Sequence, residues 1–495
     1  MRRMSKRFVG IAAWTAMLAS PAQSDTQNWS RMAEEDLLAA RALLLESHPG
    51  AVAELADETF QRQLRSGFDQ ALAIALGART YGGYRAALQR FAASFDDSHI
   101  ATAPLVQTHR HWPGFVVALQ SDSWKVIARA ADDAPPVGAT LLSCDGRPPD
   151  TLAQERLAPF TGSWAVRGER IRHSTWLLQD VDNPQQPRLA RCDFSGSDGP
   201  KTHQLRWRPV AQAEIGRRIG DARPFPSEEV WLRPFEQGFW IRLGTSGGGG
   251  IPIVAEAKRQ ERALRAAPFV VLDLRGNAGG ASYITDELAK TIYGTARVAA
   301  ARRPQRTGGP ETIVWRASAP SLQRVEEYLQ RSAQFAPADH PIRLGLLAQR
   351  EALRKALASG AAFARAPAEV HRGGREDLQD RVRRPPRVIL VTDRHCFSSC
   401  LLGVRLFRAL GAEHVGEETR ANTRYSDLRT VELPSGLSNF ATMQSFSTWL
   451  PMEIGPYTPA RQFEGDLFND TAVQAWVSGL VRRSGGPAAR TPPPS

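Results

Sequence analysis

Cysteine is scarce in this chain, with four residues among 495, too few for a fold held together by disulfides. Long apolar runs are scarcer still. Only FVGIAAWTAMLA near the N-terminus is continuous, and its 12 residues fall short of the roughly 18 or more of a spanning helix. No integral membrane segment is therefore expected in the mature chain. Lysine is absent after Lys355, so the last part of the chain offers no lysine base, and arginine cannot replace one because it stays protonated. No glycine-rich turn is followed by Gly-Lys-Ser/Thr, which removes the main support for nucleotide binding. The paired serines of HCFSSC have no G-x-S-x-G setting. Although Lys and Arg outnumber Asp and Glu by 63 to 51, the excess forms no concentrated basic stripe, and nucleic acid is not an expected partner.

What is present begins with an export signal. MRRMSKR is a basic stretch, the apolar run follows, and Ala22-Gln23-Ser24 is a small-x-small cleavage site. Residues 1–24 are expected to be removed, leaving a periplasmic or secreted chain from about Asp25 with a formal charge of 12 − 4 = +8. In an oxidising compartment the four cysteines allow three pairings. Cys396 and Cys400 are the most local pair, and they can close only where the segment leaves regular helix.

Helical spacing of apolar residues runs through 29–95, within an N-terminal helical subdomain at 25–105. Short alternating runs such as GFVVALQ and WKVIARA then suggest a small β-rich module at 106–212. Its stretch DDAPPVGATLLSCDGRPPD resembles the carboxylate-loop region of a PDZ domain. From 225 to 480 the pattern is α/β. PFVVLDLRG and RVILVTD are continuous β-branched runs, each followed by a helical pattern ending in glycine, which favours a mostly parallel sheet. An arginine-rich, mostly helical insertion is expected at about 300–385, and a disordered tail at 481–495.

Two turns carry chemistry. DLRGNAGG, 273–280, runs from strand to helix and presents backbone N–H groups where an anion or oxyanion would sit. RHCFSSCLL places Ser398 and Ser399 between a strand end and a helix start, where a serine serves as nucleophile or as a plain N-cap. With HVGEET further on, the two turns resemble the S41 peptidase family, which includes the C-terminal processing proteases and the tricorn core. The resemblance implies an α/β catalytic domain of crotonase/ClpP-like type acting on peptide or protein substrates without a cofactor.

It aligns Ser398 with the family nucleophile and implies an oxyanion hole from the N–H groups of Gly279 and Ser399. Where the processing proteases carry a lysine base this chain has Asn422, which points to the tricorn-like Ser-His branch. There, FDDSHI supplies Ser98 and His99, and Glu453 in MEIGPYTPARQFEGD corresponds to the late glutamate, with Ala460 where the family has aspartate. His395, three residues before Ser398, is expected to cap or face solvent, and the remaining histidines show no metal-ligand spacing, so no metal is expected. Two further readings stay open: a catalytically inactive relative that binds peptides or apolar ligands, and a crotonase-like lyase or isomerase.

Overall fold

The two β-branched runs form the centre of a six-stranded sheet. All five residues of Phe269–Asp273 are buried, as are five of the six in Arg387–Thr392, because helices cover both faces. Glu413–Gly416 and Arg461–Gln462 extend the sheet on one side, and Gly238–Leu243 and Val230–Phe235 on the other. Neighbouring strands run parallel except for the last two, which form a hairpin.

These elements belong to a computed structural model describing residues 28–483 apart from 108, 121, 131, 198, 224–226, 303–312, 367–379, 381 and 449–450. The expected leader and residues 484–495 of the expected tail lie outside the described residues. No helix among the described residues is long and apolar enough to cross a membrane.

Alternation along each strand divides the core in two. Val270, Leu272, Val388 and Leu390 pack on helices Tyr283–Tyr293 and Ser399–Ala409. Val271, Ile389 and Val391 face Val473 and Val477 of helix Asp470–Arg483. Ile389 is fully buried, and truncation to alanine there would cost about 2–5 kcal/mol.

Helices Trp29–Ser47, Glu58–Leu76 and Tyr81–Ala93 begin at side-chain caps, Asn28, Asp57 and Thr80. Their core takes in Leu433 and Phe440 from far along the chain. The link is Ser438–Ser447, the long strand of a second, antiparallel sheet. It pairs with Ala101–Pro104, Tyr425–Glu432 and Ile313–Arg316. Ile313–Arg316 pairs in turn with Phe363–Arg365. The arginine-rich segment thus contributes two strands to this sheet as well as helices Ala319–Ser332 and Pro341–Ser359.

Between the helical region and the parallel sheet lies a five-stranded antiparallel sheet, Phe115–Gln120, Ser123–Arg129, Thr140–Cys144, Arg191–Gly196 and Gly199–Gln204. Helices at 149–174 interrupt it, so this region is mixed rather than purely β. Cys144 and Cys192 stand opposite each other on paired strands, Cα atoms 4.0 Å apart, and form a disulfide.

Candidate active site

Two neighbouring parallel strands each end on a buried aspartate that folds the chain back on itself. Asp273 accepts from Arg242 Nη1 at 2.6 Å and from Arg275 Nη2 at 2.6 Å. Asp393 accepts the Gly276 N–H of the other turn at 3.1 Å, and the His395 N–H and Nδ1 at 2.9 and 3.0 Å. Burial would raise the Asp393 carboxyl, but His395 and the Gly276 N–H hold it below the ordinary carboxylate range. His395 is thereby committed to its own turn. The Phe397 N–H donates to the Asn277 carbonyl at 3.2 Å, fastening the two turns together.

Ser398 stands at the junction with φ 56° and ψ −125°, a conformation that costs a non-glycine residue of order 1–3 kcal/mol and persists only where surroundings enforce it. The Cys396–Cys400 disulfide is part of that enforcement. It closes because Cys396 precedes the helix, with the Cα atoms 5.4 Å apart. Gly279 is the other part. Its φ is +104°, and a Cβ on it would lie 2.6 Å from the Ser398 Cβ and 3.1 Å from the Ser399 nitrogen. The Gly279 N–H donates to Asn277 Oδ1 at 2.9 Å, within its own turn. The Ser399 hydroxyl is buried without a partner among the described residues, while its N–H opens the helix.

His99 lies in the turn before strand Ala101–Pro104. Its backbone N–H and Nδ1 both meet Asp97 Oδ1, at 2.9 and 3.1 Å, and Thr423 donates to Asp97 Oδ2 at 2.6 Å. Burial would raise the Asp97 carboxyl, but the bonds from His99 and Thr423 bring it down to about 2. The imidazole stacks on Phe397, ring centroids 4.4 Å apart, and the Arg420 guanidinium sits 3.7 Å from the same ring's centroid. His99 Nε2 is buried and has no hydrogen-bond partner among the described residues. This ring, oriented on one nitrogen and unengaged on the other, stands beside the residue that precedes Ser398.

The other expected site residues lie apart from the ring. Ser98 Oγ donates to Glu169 Oε1 at 3.1 Å, and Glu169 also binds Arg420 and Arg172. Glu453 is exposed, opposite Thr423 in a two-stranded ladder where Asn422 faces Ile454. No bond joins Glu453 or Ser98 to His99 among the described residues, because Asp97, two positions upstream, already reaches Nδ1. Asp97 stands in D-D-S-H, but the two aspartates there leave the choice to the folded turn, and Phe397, Arg420 and Glu169 carry no sequence signal for this placement.

One group among the described residues could hold a metal ion: His111, Asp180 and Asp182, with ligand atoms within 4.8 Å of one another. Arg188 Nε already bonds Asp180 at 2.6 Å, so part of its negative charge is compensated.

No family model matches the chain, and no curated protein does. Solved structures do. Mature CPAF matches with a TM-score of 0.58 and 14% identity over 92% of this chain and 99% of that one. Mature CPAF complexed with lactacystin gives a TM-score of 0.59 at 14% identity, over 92% of this chain and 98% of its own. The photosystem II D1 C-terminal processing protease also matches at 12% identity over 87% and 93% of the two chains, with a TM-score of 0.32, too low to define a shared fold by itself. The chain shares the fold of CPAF over nearly its whole length.

Proposed function

We propose that this chain is an exported serine peptidase of the S41 type, in its Ser-His branch, with Ser398 as nucleophile and His99 as general base. One observation carries the reading. The serine occupies a strained strand-to-helix turn, and a buried histidine oriented by a carboxylate stacks on the residue before it. Serine needs a neighbouring base to attack a carbonyl. His99 Nε2 takes the Ser398 proton and later returns it to the leaving amine, while Asp97 fixes the tautomer and stabilises the imidazolium. In this reading Asp97, rather than Ser98 or Glu453, orients the imidazole. The Ser399 N–H is then the donor left for the developing oxyanion, because the Gly279 N–H is already given to Asn277 Oδ1, and one such donor is worth about 10²–10³ in rate. No hydrogen bond joins His99 to Ser398 here, and such bonds often tighten only with substrate bound.

The residues fit a reaction without a cofactor. The parallel sheet is consistent with a crotonase/ClpP-like catalytic domain at 225–480, preceded by the helical subdomain and the PDZ-like module. Two disulfides suit export.

The test is fluorophosphonate labelling with peptide mapping, alongside hydrolysis of a denatured protein substrate. Label on Ser398, with turnover lost by up to about 10⁶ in Ser398→Ala, is expected. Label elsewhere, or undiminished in the variant, would sink the assignment. Tight peptide binding with neither label nor turnover would select the inactive, ligand-binding alternative. Lactacystin, present in one CPAF structure, serves as a second probe.

A further inference from the structure

Arg85, on helix Tyr81–Ala93, is 8% exposed and makes no hydrogen bond or ion pair among the described residues. Its Nη1 is buried without a partner, and its nearest aromatic face, Tyr81, lies 6.0 Å away. Arg110, on strand His109–Trp112, donates from Nη1 to Gln179, and its Nε is likewise buried and unpartnered. Both guanidiniums line one cavity of about 40 Å³ between the helical region and the antiparallel sheet module, with Gln89, Gln179, Asn183 and Trp176.

An arginine cannot shed its proton to escape burial, and an unpaired buried cation is expensive. Asp180, close to Arg110 in the fold, is taken by Arg188. Burial and then the positive charge of Arg85 push the Arg110 guanidinium down to about 10, so the two cations act on each other with no carboxylate set against them. Both remain charged at neutral pH.

We propose that Arg85 and Arg110 together bind one small oxyanion, a carboxylate or a phosphate, in this cavity. Guanidinium groups present planar N–H pairs that match the oxygens of such anions, and the shared ligand would compensate both charges at once. The volume suits one anionic group, with no room for an extended peptide. The site is separate from the Ser398 and His99 turns and does not depend on their chemistry.

Calorimetric titration of the full chain at constant ionic strength tests this with inorganic phosphate, acetate, and an N-acetylated tripeptide as free acid and as amide. Saturable binding of phosphate or of a carboxylate is expected, and the amide is expected not to bind. Phosphate alone would mark the ligand as a free oxyanion, and the tripeptide acid as a chain terminus. Either supports the site. Arg85→Met and Arg110→Gln are each expected to weaken binding at least about tenfold. Should Arg85→Met fail to fold, Arg110→Gln carries the comparison. Binding unchanged in the folded variants, or heats equal to those of chloride for every anion, would overturn the proposal.

Discussion

The imidazole of His99 and the ring of Phe397 lie stacked at 29° with their centroids 4.4 Å apart. The residue before the strained serine therefore positions the histidine as well. Phe397→Ala removes the stack and leaves Ser398 and His99 chemically intact. A fall in kcat of about 10²-fold, with KM changed far less, is expected from misplacement alone. Equal kcat in steady-state assays of the folded variant would show that the ring is held by Asp97 alone.

Asp97 and Glu453 make opposite predictions. Asp97→Asn should lower kcat by up to about 10⁴, because the amide supports the wrong tautomer of His99. Glu453→Gln, at an exposed position, should change it by less than about threefold, within the usual range of surface substitutions. Reversed results would return the orienting role to Glu453.

Gly279→Ala puts a methyl group 2.6 Å from the Ser398 Cβ, on a backbone with φ +104°. Fluorophosphonate labelling should fall by at least about tenfold while the far-ultraviolet dichroism is retained, since about 1–3 kcal/mol of local strain displaces the turn. Unaltered labelling would mean that the two turns can separate at no cost.

The two disulfides should differ in weight. Cys144–Cys192 closes a span of 48 positions and Cys396–Cys400 a span of 4. Loop entropy then assigns about 4 kcal/mol to the first and about 2 kcal/mol to the second. Denaturant unfolding of the two paired Cys→Ser variants checks the order. The shorter bridge should matter more for labelling rate than for stability.

Acid should destabilise the protein well above the carboxylate range. Burial lowers His48 to about 3, and His173 and His414 to about 4. The unfolded chain protonates these rings near pH 6.5, so protons favour unfolding below that point. The stability they contribute is complete above about 6.5 and is lost as pH falls toward 4. Asp97, at about 2, loses its contribution only below the ordinary carboxylate value. Melting temperatures should decline steadily from pH 7 to 5, and a flat profile there would contradict the burial of these histidines in neutral form.

The strands at 269–273 and 387–392 were readable because burial on both faces forces continuous apolar sequence. The strand Ser438–Ser447 was not, since Thr442, Gln444 and Ser445 are polar yet fully buried, and their burial depends on partners far away in the chain. Ile313–Arg316 is too short to announce itself inside an arginine-rich segment. In the site, the glycine-rich turn and the serine turn stand out locally. Which acid meets His99 was hidden, because FDDSHI offers two aspartates and only the folded turn selects one.

The strand that follows His99 docks on residues 438–441, and Thr102 hydroxyl meets the Asn439 carbonyl across 337 positions. A chain made from its N-terminus therefore carries His99 without its sheet partner until residue 438 has emerged from the ribosome. Products truncated before residue 438 lack the strand partner of the segment that follows His99.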